Sequence, residues 1–298
     1  MKTLARFAMR GPLNTMSACV ALGVGAWFVF PLLYLSAALI GLVTLQLGWR
    51  KGLLVAAGSM VGLGGIALLM FGSPRPGLML GAIGWGPALV VAAIVRNQGA
   101  LRPGLEWLTV GALLLTGSFF LLLSDPATWW AEQLRSYGEQ SGLLTAWRDQ
   151  GIDAQTLIDS IAPIMPGSIG VMCVVGLGLS IVCSRWLQSS LFKPGAFGEE
   201  YRQLRFVKGA VIVMIGLIAL GVLGSRMALN FAMVISSLYL FQGLAVLHGL
   251  AAILKWNNAV VIGVYVVMFL LPHFALLVAG LGAADSWADF RARWSSRS

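Results

Sequence analysis

Polar side chains, among them Asn230, Ser237, Gln242 and His248, interrupt an otherwise apolar run at residues 227–254. A helix turns about 100° per residue, so Asn230, Ser237 and His248 share one face, while Gln242 lies about 120° away. In lipid these groups are costly unless they face the interior of the bundle or a cavity. The pattern therefore predicts either hydrogen bonds between helices or a ligand-binding site.

Two more residues could extend such a site. Arg226 stands in the short break before this run, where it either snorkels to the outer interface or points into an outward cavity that would suit an anionic ligand. Pro272 interrupts the last run and should kink it, which makes His273 either a packed histidine or a partner of the polar face. The candidate ligand-binding residues are Asn230, Ser237, Gln242, His248, His273 and Arg226.

No motif for catalysis accompanies these residues. The sequence contains no HExxH, GxSxG or Walker pattern, and "GLGGIA" at 62–67 follows no strand. Cys19, Cys173 and Cys183 form no CxxC or Cys/His cluster, which disfavours a zinc site. The acidic residues lie at the ends of runs, which disfavours a proton-driven pump. We expect a protein that is not an enzyme and uses no cofactor or metal.

The composition indicates the class of protein that must position these residues. Of 298 residues 58% are hydrophobic and only 10% are charged, against about 25% charged in soluble domains. The net charge of +9 comes from basic residues in short breaks between apolar runs. This is the positive-inside pattern of a membrane protein, so the expected partner is the lipid bilayer and not nucleic acid.

The apolar runs predict one integral membrane domain over residues 1–298. Backbone groups in lipid must be satisfied internally, so the runs are helices of an all-α polytopic transmembrane bundle with eight or nine spans. The runs are roughly 13–30, 32–48, 52–72, 77–95, 105–124, 163–187, 208–224, 227–254 and 258–282.

The positions of the basic residues predict the orientation. Arg50, Arg96, the 185–208 segment and Lys255 fall on one side if the runs alternate, so that side is cytoplasmic. Nine spans would leave the basic tail, 283–298, outside. With eight spans both termini are inside. The candidates for a run that does not cross are then 13–48 and 208–224.

Two breaks are long enough to hold structure. The outer loop, 125–162, predicts interfacial amphipathic helices at about 128–161, with Asp153 as an N-cap. The basic cytoplasmic loop, 185–208, predicts another such segment at about 185–207, split by "KPG". It suits either the interface beside anionic lipid or a docking surface for a membrane-protein partner.

Small residues at spacings of four predict close helix contacts in lipid. A glycine beside Gln242 predicts another. The residues are Gly58, Gly62, Gly77, Gly81, Ala88, Ala92 and Gly243.

Several segments resemble the YybS-like family of bacterial multispanning inner-membrane proteins. They are "LQLGWRKGLLVAAG" (45–58), "EEYRQLRFVKG" (199–209), "LFQGLAVLHGL" (240–250) and "LGAADSWADFRAR" (281–293). That family is remotely similar to the substrate-binding subunits of energy-coupling-factor transporters. The resemblance implies a compact bundle with an outward ligand pocket and a coupling partner that docks at an Ala-xxx-Ala pair. On the first span the nearest match to that pair is Ala21/Gly25.

The sequence is therefore consistent with two functions. The first is a transporter-like bundle that binds or moves a small or lipid-like ligand. The alternative is a structural or assembly factor that holds another membrane protein.

Overall fold

The computed structural model describes residues 1–295, which contain helices and no β-strand. The predicted all-α class is therefore confirmed. The helices are α1 (Lys2–Ala8), α2 (Pro12–Ala26), α3 (Leu32–Leu47), α4 (Trp49–Phe71), α5 (Arg75–Gln98), α6 (Leu101–Leu122), α7 (Pro126–Gln140), α8 (Leu143–Asp149), α9 (Ala154–Ile161), α10 (Met165–Phe192), α11 (Ala196–Arg202), α12 (Lys208–Val222), α13 (Arg226–Ile253), α14 (Asn258–Leu270), α15 (Phe274–Ala288) and α16 (Phe290–Ser295).

The helices have the length and composition of a membrane protein. Within the described residues, five are long and apolar enough to cross a membrane: α4, α5, α6, α13 and the stretch Ala154–Phe192 that contains α10. Helices α2, α3, α12, α14 and α15 are apolar but shorter. Their outward side chains are large and hydrophobic, as contact with lipid requires.

The bundle has two ends with different character. One carries Arg50, Arg96 and Arg185, and we call it the basic end; there Arg185 Nη2 donates to the Gly99 carbonyl at 3.1 Å. The opposite end is covered by α7, α8 and α9. The positive-inside rule predicts that the basic end is cytoplasmic.

Within residues 1–295, eight helices run between the two ends. They are α2, α3, α4, α5, α6, α10, α12 and α13, and their directions alternate along the chain. The stretch 13–48 forms two antiparallel helices, and α12 also runs from one end to the other. Both of these stretches, the candidates for an incomplete crossing, form helices that are shorter than the five candidate spans.

The last apolar run is the one that returns. At Pro272 the chain turns between α14 and α15, and α14 has only 13 residues, or about 20 Å. The segment leaves α13 at the basic end. It returns there, because Arg291 Nη1 donates to the carbonyl of Arg202 at 2.6 Å. This path places α1 and the described part of the tail, up to Ser295, at one end, so the basic tail does not lie opposite the basic N-terminus as it would with nine spans.

The two long breaks differ in how closely they follow the sequence pattern. In 125–162 three helices form as expected, and Asp153 caps α9 by accepting from the amide of Gln155 at 3.0 Å. In 185–208 the first residues instead prolong α10 to Phe192, so that only α11 is an interfacial helix. The break between α10 and α11 does fall at "KPG", where Lys193–Gly195 lies outside both helices.

Helices α3 and α13 are the two centres of the bundle, and α10 packs against both. The small residues lie at helix contacts, most closely where α13 crosses α15. A Cβ on Gly243 would overlap the Val278 carbonyl, and one on Gly282 would stand 2.5 Å from the Gly243 amide nitrogen. Gly58 lies against Met16 and Gly77 against α4. The buried Ala88 and Ala92 lie on α5, and Gly62 and Gly81 face side chains.

Candidate functional site

Gln242 joins three parts of the chain inside the protein. Its side chain is fully buried, and Oε1 accepts a hydrogen bond from the backbone amide of Phe206 at 2.8 Å. Nε2 donates to Asp285 Oδ2 at 3.3 Å and to Ser286 Oγ at 3.2 Å. The amide thus ties the loop between α11 and α12 to helix α15.

Asp285 is a fully buried carboxylate held by two arginines. Arg291 Nη2 lies 2.6 Å from Oδ2, and Arg205 Nη2 lies 3.6 Å away. Oδ1 accepts from the amide of Phe290 at 3.0 Å. A buried charge persists only when paired and hydrogen-bonded in this way.

Arg205 also donates two hydrogen bonds to a second carboxylate, that of Asp289. Its Nη1 donates to Asp289 Oδ2 at 3.0 Å, and its Nη2 donates to Asp289 Oδ1 at a shorter distance. The guanidinium lowers the pKa of Asp289, and the hydrogen bonds to Asp289 raise the pKa of Arg205. We call Arg205, Gln242, Asp285, Asp289 and Arg291 the carboxylate cluster.

A groove runs between α13 and α14 beside this cluster, with a volume of about 890 Å³. Within it His248 Nε2 lies 3.0 Å from Tyr265 Oη, and the Tyr201 ring meets the imidazole edge-on. The charged residues at its rim are Arg202 and Lys255. We call it the α13–α14 groove; its lining residues are Leu179, Val182, Phe197, Gly198, Tyr201, Arg202, Leu244, His248, Ala251, Ala252, Lys255, Trp256, Val261, Ile262 and Tyr265.

A more polar cavity of about 670 Å³ adjoins the groove at the basic end. Arg202 and Ala252 line both spaces. We call it the arginine cavity; its lining residues are Glu199, Arg202, Gln203, Arg205, Gly249, Ala252, Ile253, Asp289, Arg291 and Ala292. Its volume and that of the groove fall within the roughly 300–1,000 Å³ of small-molecule sites.

Asn230 and Ser237 stand elsewhere, although they share a helical face with His248. Asn230 is buried; its Oδ1 accepts from the amide of Gly167 at 2.6 Å and its Nδ2 donates to the Pro163 carbonyl at 2.9 Å. Ser237 Oγ donates to the Val234 carbonyl of its own helix at 2.7 Å. Asn230 and His248 are 18 residues apart, or about 27 Å along the helix, so the structure does not bring them into one site.

Arg226 and His273 also lie apart from the groove. Both are exposed, Arg226 at the first turn of α13 and His273 just before α15. Near Arg226 is Asp125, whose pKa is lowered chiefly by the hydroxyl of Thr128, with a smaller contribution from the arginine. These residues form no common pocket with Gln242 or His248.

Sequence reasoning missed the arginines and aspartates of the carboxylate cluster. Asp285 and Asp289 lie at the end of an apolar run, and Arg205 lies 80 residues before Asp285. The spacing of Asp285, Asp289 and Arg291 on one short segment was the available signal. Much of the charge of the 185–208 loop is used inside the protein, since Arg185 pairs with Glu200 at 2.8 Å. Docking of a partner through this loop stays a prediction.

The site contains groups that could contact a ligand. Within residues 1–295, no group of three or more His, Cys, Asp or Glu side chains could hold a metal ion. What the site offers is an apolar groove, an imidazole–phenol hydrogen bond across it and two cations at its rim.

The comparisons with known proteins add no relative. No family model matches this chain, and neither a curated protein nor a solved structure matches it.

Proposed function

We propose that this membrane protein binds a lipid-like ligand in the α13–α14 groove. The observation that carries the proposal is the groove itself, because mostly apolar residues of α10, α11, α13 and α14 line it. Buried apolar surface stabilises a bound chain by about 25 cal/mol per Å². The transporter-like role predicted from the sequence becomes, in this proposal, the holding of such a ligand.

The two helices that follow α13 are attached to it with unequal strength, and the weaker one, α14, is a wall of the groove. Helix α15 packs closely on α13 through Gly243 and Gly282, whereas α14 has no buried side chain among those described. The His248 imidazole and the Tyr265 phenol form a hydrogen bond between α13 and α14. A weakly held wall lets an elongated ligand enter from the side, as a molecule dissolved in the bilayer must.

The proposal is tested by blocking the groove. Diacylglycerol added to the purified, delipidated protein in detergent should give a one-to-one complex in native mass spectrometry. Ala251→Trp, which places an indole in the groove, should weaken that complex about tenfold or more. The matched control is Ala219→Trp, since Ala219 is exposed on α12 and lines neither the groove nor the arginine cavity.

Equal binding by Ala251→Trp and wild type would show that diacylglycerol sits elsewhere on the lipid-facing surface. If no stoichiometric complex forms, the alternative of an assembly factor gains support. Crosslinking from the 185–208 loop would then identify a protein partner.

A further inference from the structure

The charges at the α13–α14 groove indicate which end of a lipid lies there. Among its described lining residues, Arg202 and Lys255 are positive and no residue is a carboxylate. Both lie toward the basic end, where the groove meets the arginine cavity. An amphiphile with its chain in the groove would therefore present its polar part to two cations.

The three arginines of the arginine cavity are not equivalent. Arg205 is paired with Asp289, and Arg291 with Asp285, while both also contact backbone or a second carboxylate. Arg202 belongs to none of the ion pairs of the described residues; its Nε donates to the Gly198 carbonyl at 2.8 Å. Its two terminal nitrogens thus remain available for an anionic oxygen.

The position of Arg202 would let its terminal nitrogens contact the head group of a lipid. Its side chain lines both the apolar groove and the polar cavity, so it marks the boundary between a chain and a head group. Beyond it, the exposed Glu199 and Gln203 offer a carboxylate and an amide. A carboxylate there repels a bare phosphate but accepts hydrogen bonds from hydroxyl or amine groups.

We propose that the α13–α14 groove and the arginine cavity together hold one phosphodiester lipid, with its phosphate on the guanidinium of Arg202. The acyl chain lies in the groove, and a head group with hydrogen-bond donors reaches Glu199 and Gln203. This proposal rests on the proposed function, since it needs the chain to occupy the groove.

The test compares two lipids with identical acyl chains. In native mass spectrometry of the full chain, phosphatidylglycerol should bind about tenfold more tightly than diacylglycerol, because charge-assisted hydrogen bonds to phosphate are strong. Arg202→Gln should remove this preference, so that the two lipids bind with about equal affinity. Arg50→Gln is the matched control, as Arg50 is exposed at the same end and lines neither space.

Two results would overturn the head-group assignment: equal affinity of the wild type for both lipids, or a preference that survives Arg202→Gln. In either case, weaker binding of diacylglycerol by Ala251→Trp than by wild type still supports binding in the groove. If Ala251→Trp and wild type bind diacylglycerol equally, the proposed function itself is overturned. If Arg202→Gln does not fold, Lys255→Gln replaces it: a reduced preference for phosphatidylglycerol supports the proposal, and an unchanged one overturns it.

Discussion

Helices α3 and α13 are both enclosed by other helices, but different kinds of polar contact surround them. Along the buried middle of α3 the contacts are neutral: the Trp85 indole donates to Ser36 Oγ at 2.8 Å, and the Ser184 hydroxyl donates to the Ala38 carbonyl at 2.9 Å. A charged group, the Arg96 guanidinium, reaches α3 only at its last turn, where it donates to the Leu45 carbonyl. Around α13 the fully buried Gln242 donates to Asp285, which two arginines also contact.

The difference teaches how each half of the molecule is fixed. Neutral hydrogen bonds between membrane helices contribute about 0.6 kcal/mol each, so the position of α3 depends mainly on close packing against many neighbours. A buried charged cluster costs several kcal/mol when one partner is removed. The position of α15, and of the tail after it, therefore depends on a few residues. The same cluster borders the arginine cavity, so the fold and the proposed site share residues.

The largest effect should follow loss of the buried carboxylate. Asp285→Asn leaves Arg291 without its counter-charge and should lower the free energy of unfolding by about 3–5 kcal/mol. Ser184→Ala removes a neutral contact to α3 and should cost about 0.6 kcal/mol. Denaturant unfolding in detergent micelles measures both, and equal losses would erase the contrast between the two helices.

The glycine crossing of α13 and α15 should be the next most sensitive. A Cβ on Gly282 would approach the backbone of Gly243 to 2.5 Å, so Gly282→Ala should cost about 3 kcal/mol through overpacking. On the same helix, Gly280 has no atom within 4 Å of an added Cβ. Gly280→Ala should therefore leave the melting temperature nearly unchanged. If Gly282→Ala matches it, the two helices are not in the close contact described.

Replacing Gln242 should lower stability moderately. It compares the loss of a hydrogen bond between distant segments with the loss of one inside a single helix. Gln242→Leu leaves the buried amide of Phe206 without an acceptor, which costs about 1–3 kcal/mol. Thr44 in α3 donates to the Ile40 carbonyl of its own helix at 2.8 Å, so Thr44→Val should be nearly neutral. Urea unfolding of the two variants compares them. A larger loss in Thr44→Val would reverse the expected order.

Asp289 should show the smallest effect, and it should depend on pH. Its side chain is 43% exposed, so Asp289→Asn should cost less than about 1 kcal/mol at pH 7. Arg205 lowers the pKa of Asp289 in the folded protein. The stabilisation is therefore full above the unfolded pKa of about 3.9 and is lost as pH falls through the folded pKa. The difference in melting temperature between wild type and Asp289→Asn should shrink toward pH 3, and a difference that grows would contradict this linkage.

Sequence patterns predicted the features that local chemistry decides. Hydropathy identified the apolar stretches that form helices, and a carboxylate before an apolar stretch identified Asp153 as a cap, because both depend on neighbours in the chain. The helical angle between Gln242 and His248 also indicated separate environments, and the structure places one in the carboxylate cluster and the other in the α13–α14 groove.

What the sequence could not show depends on contacts between distant segments. Hydropathy does not distinguish an apolar run that crosses the bilayer from one that turns back at Pro272, because runs of both kinds consist of equally apolar side chains. The partners of Asp285 come from a loop 80 residues earlier and from the tail. Asn230 shares a face with His248, but a helical wheel ignores the distance of about 27 Å between them.

The most direct test of lipid binding is a cryo-electron microscopy map of the protein in nanodiscs that contain phosphatidylglycerol. We expect elongated density between α13 and α14 that ends within hydrogen-bond distance of the Arg202 guanidinium. A groove closed by α14 against α13, or a chain whose head group lies away from Arg202, would contradict the account.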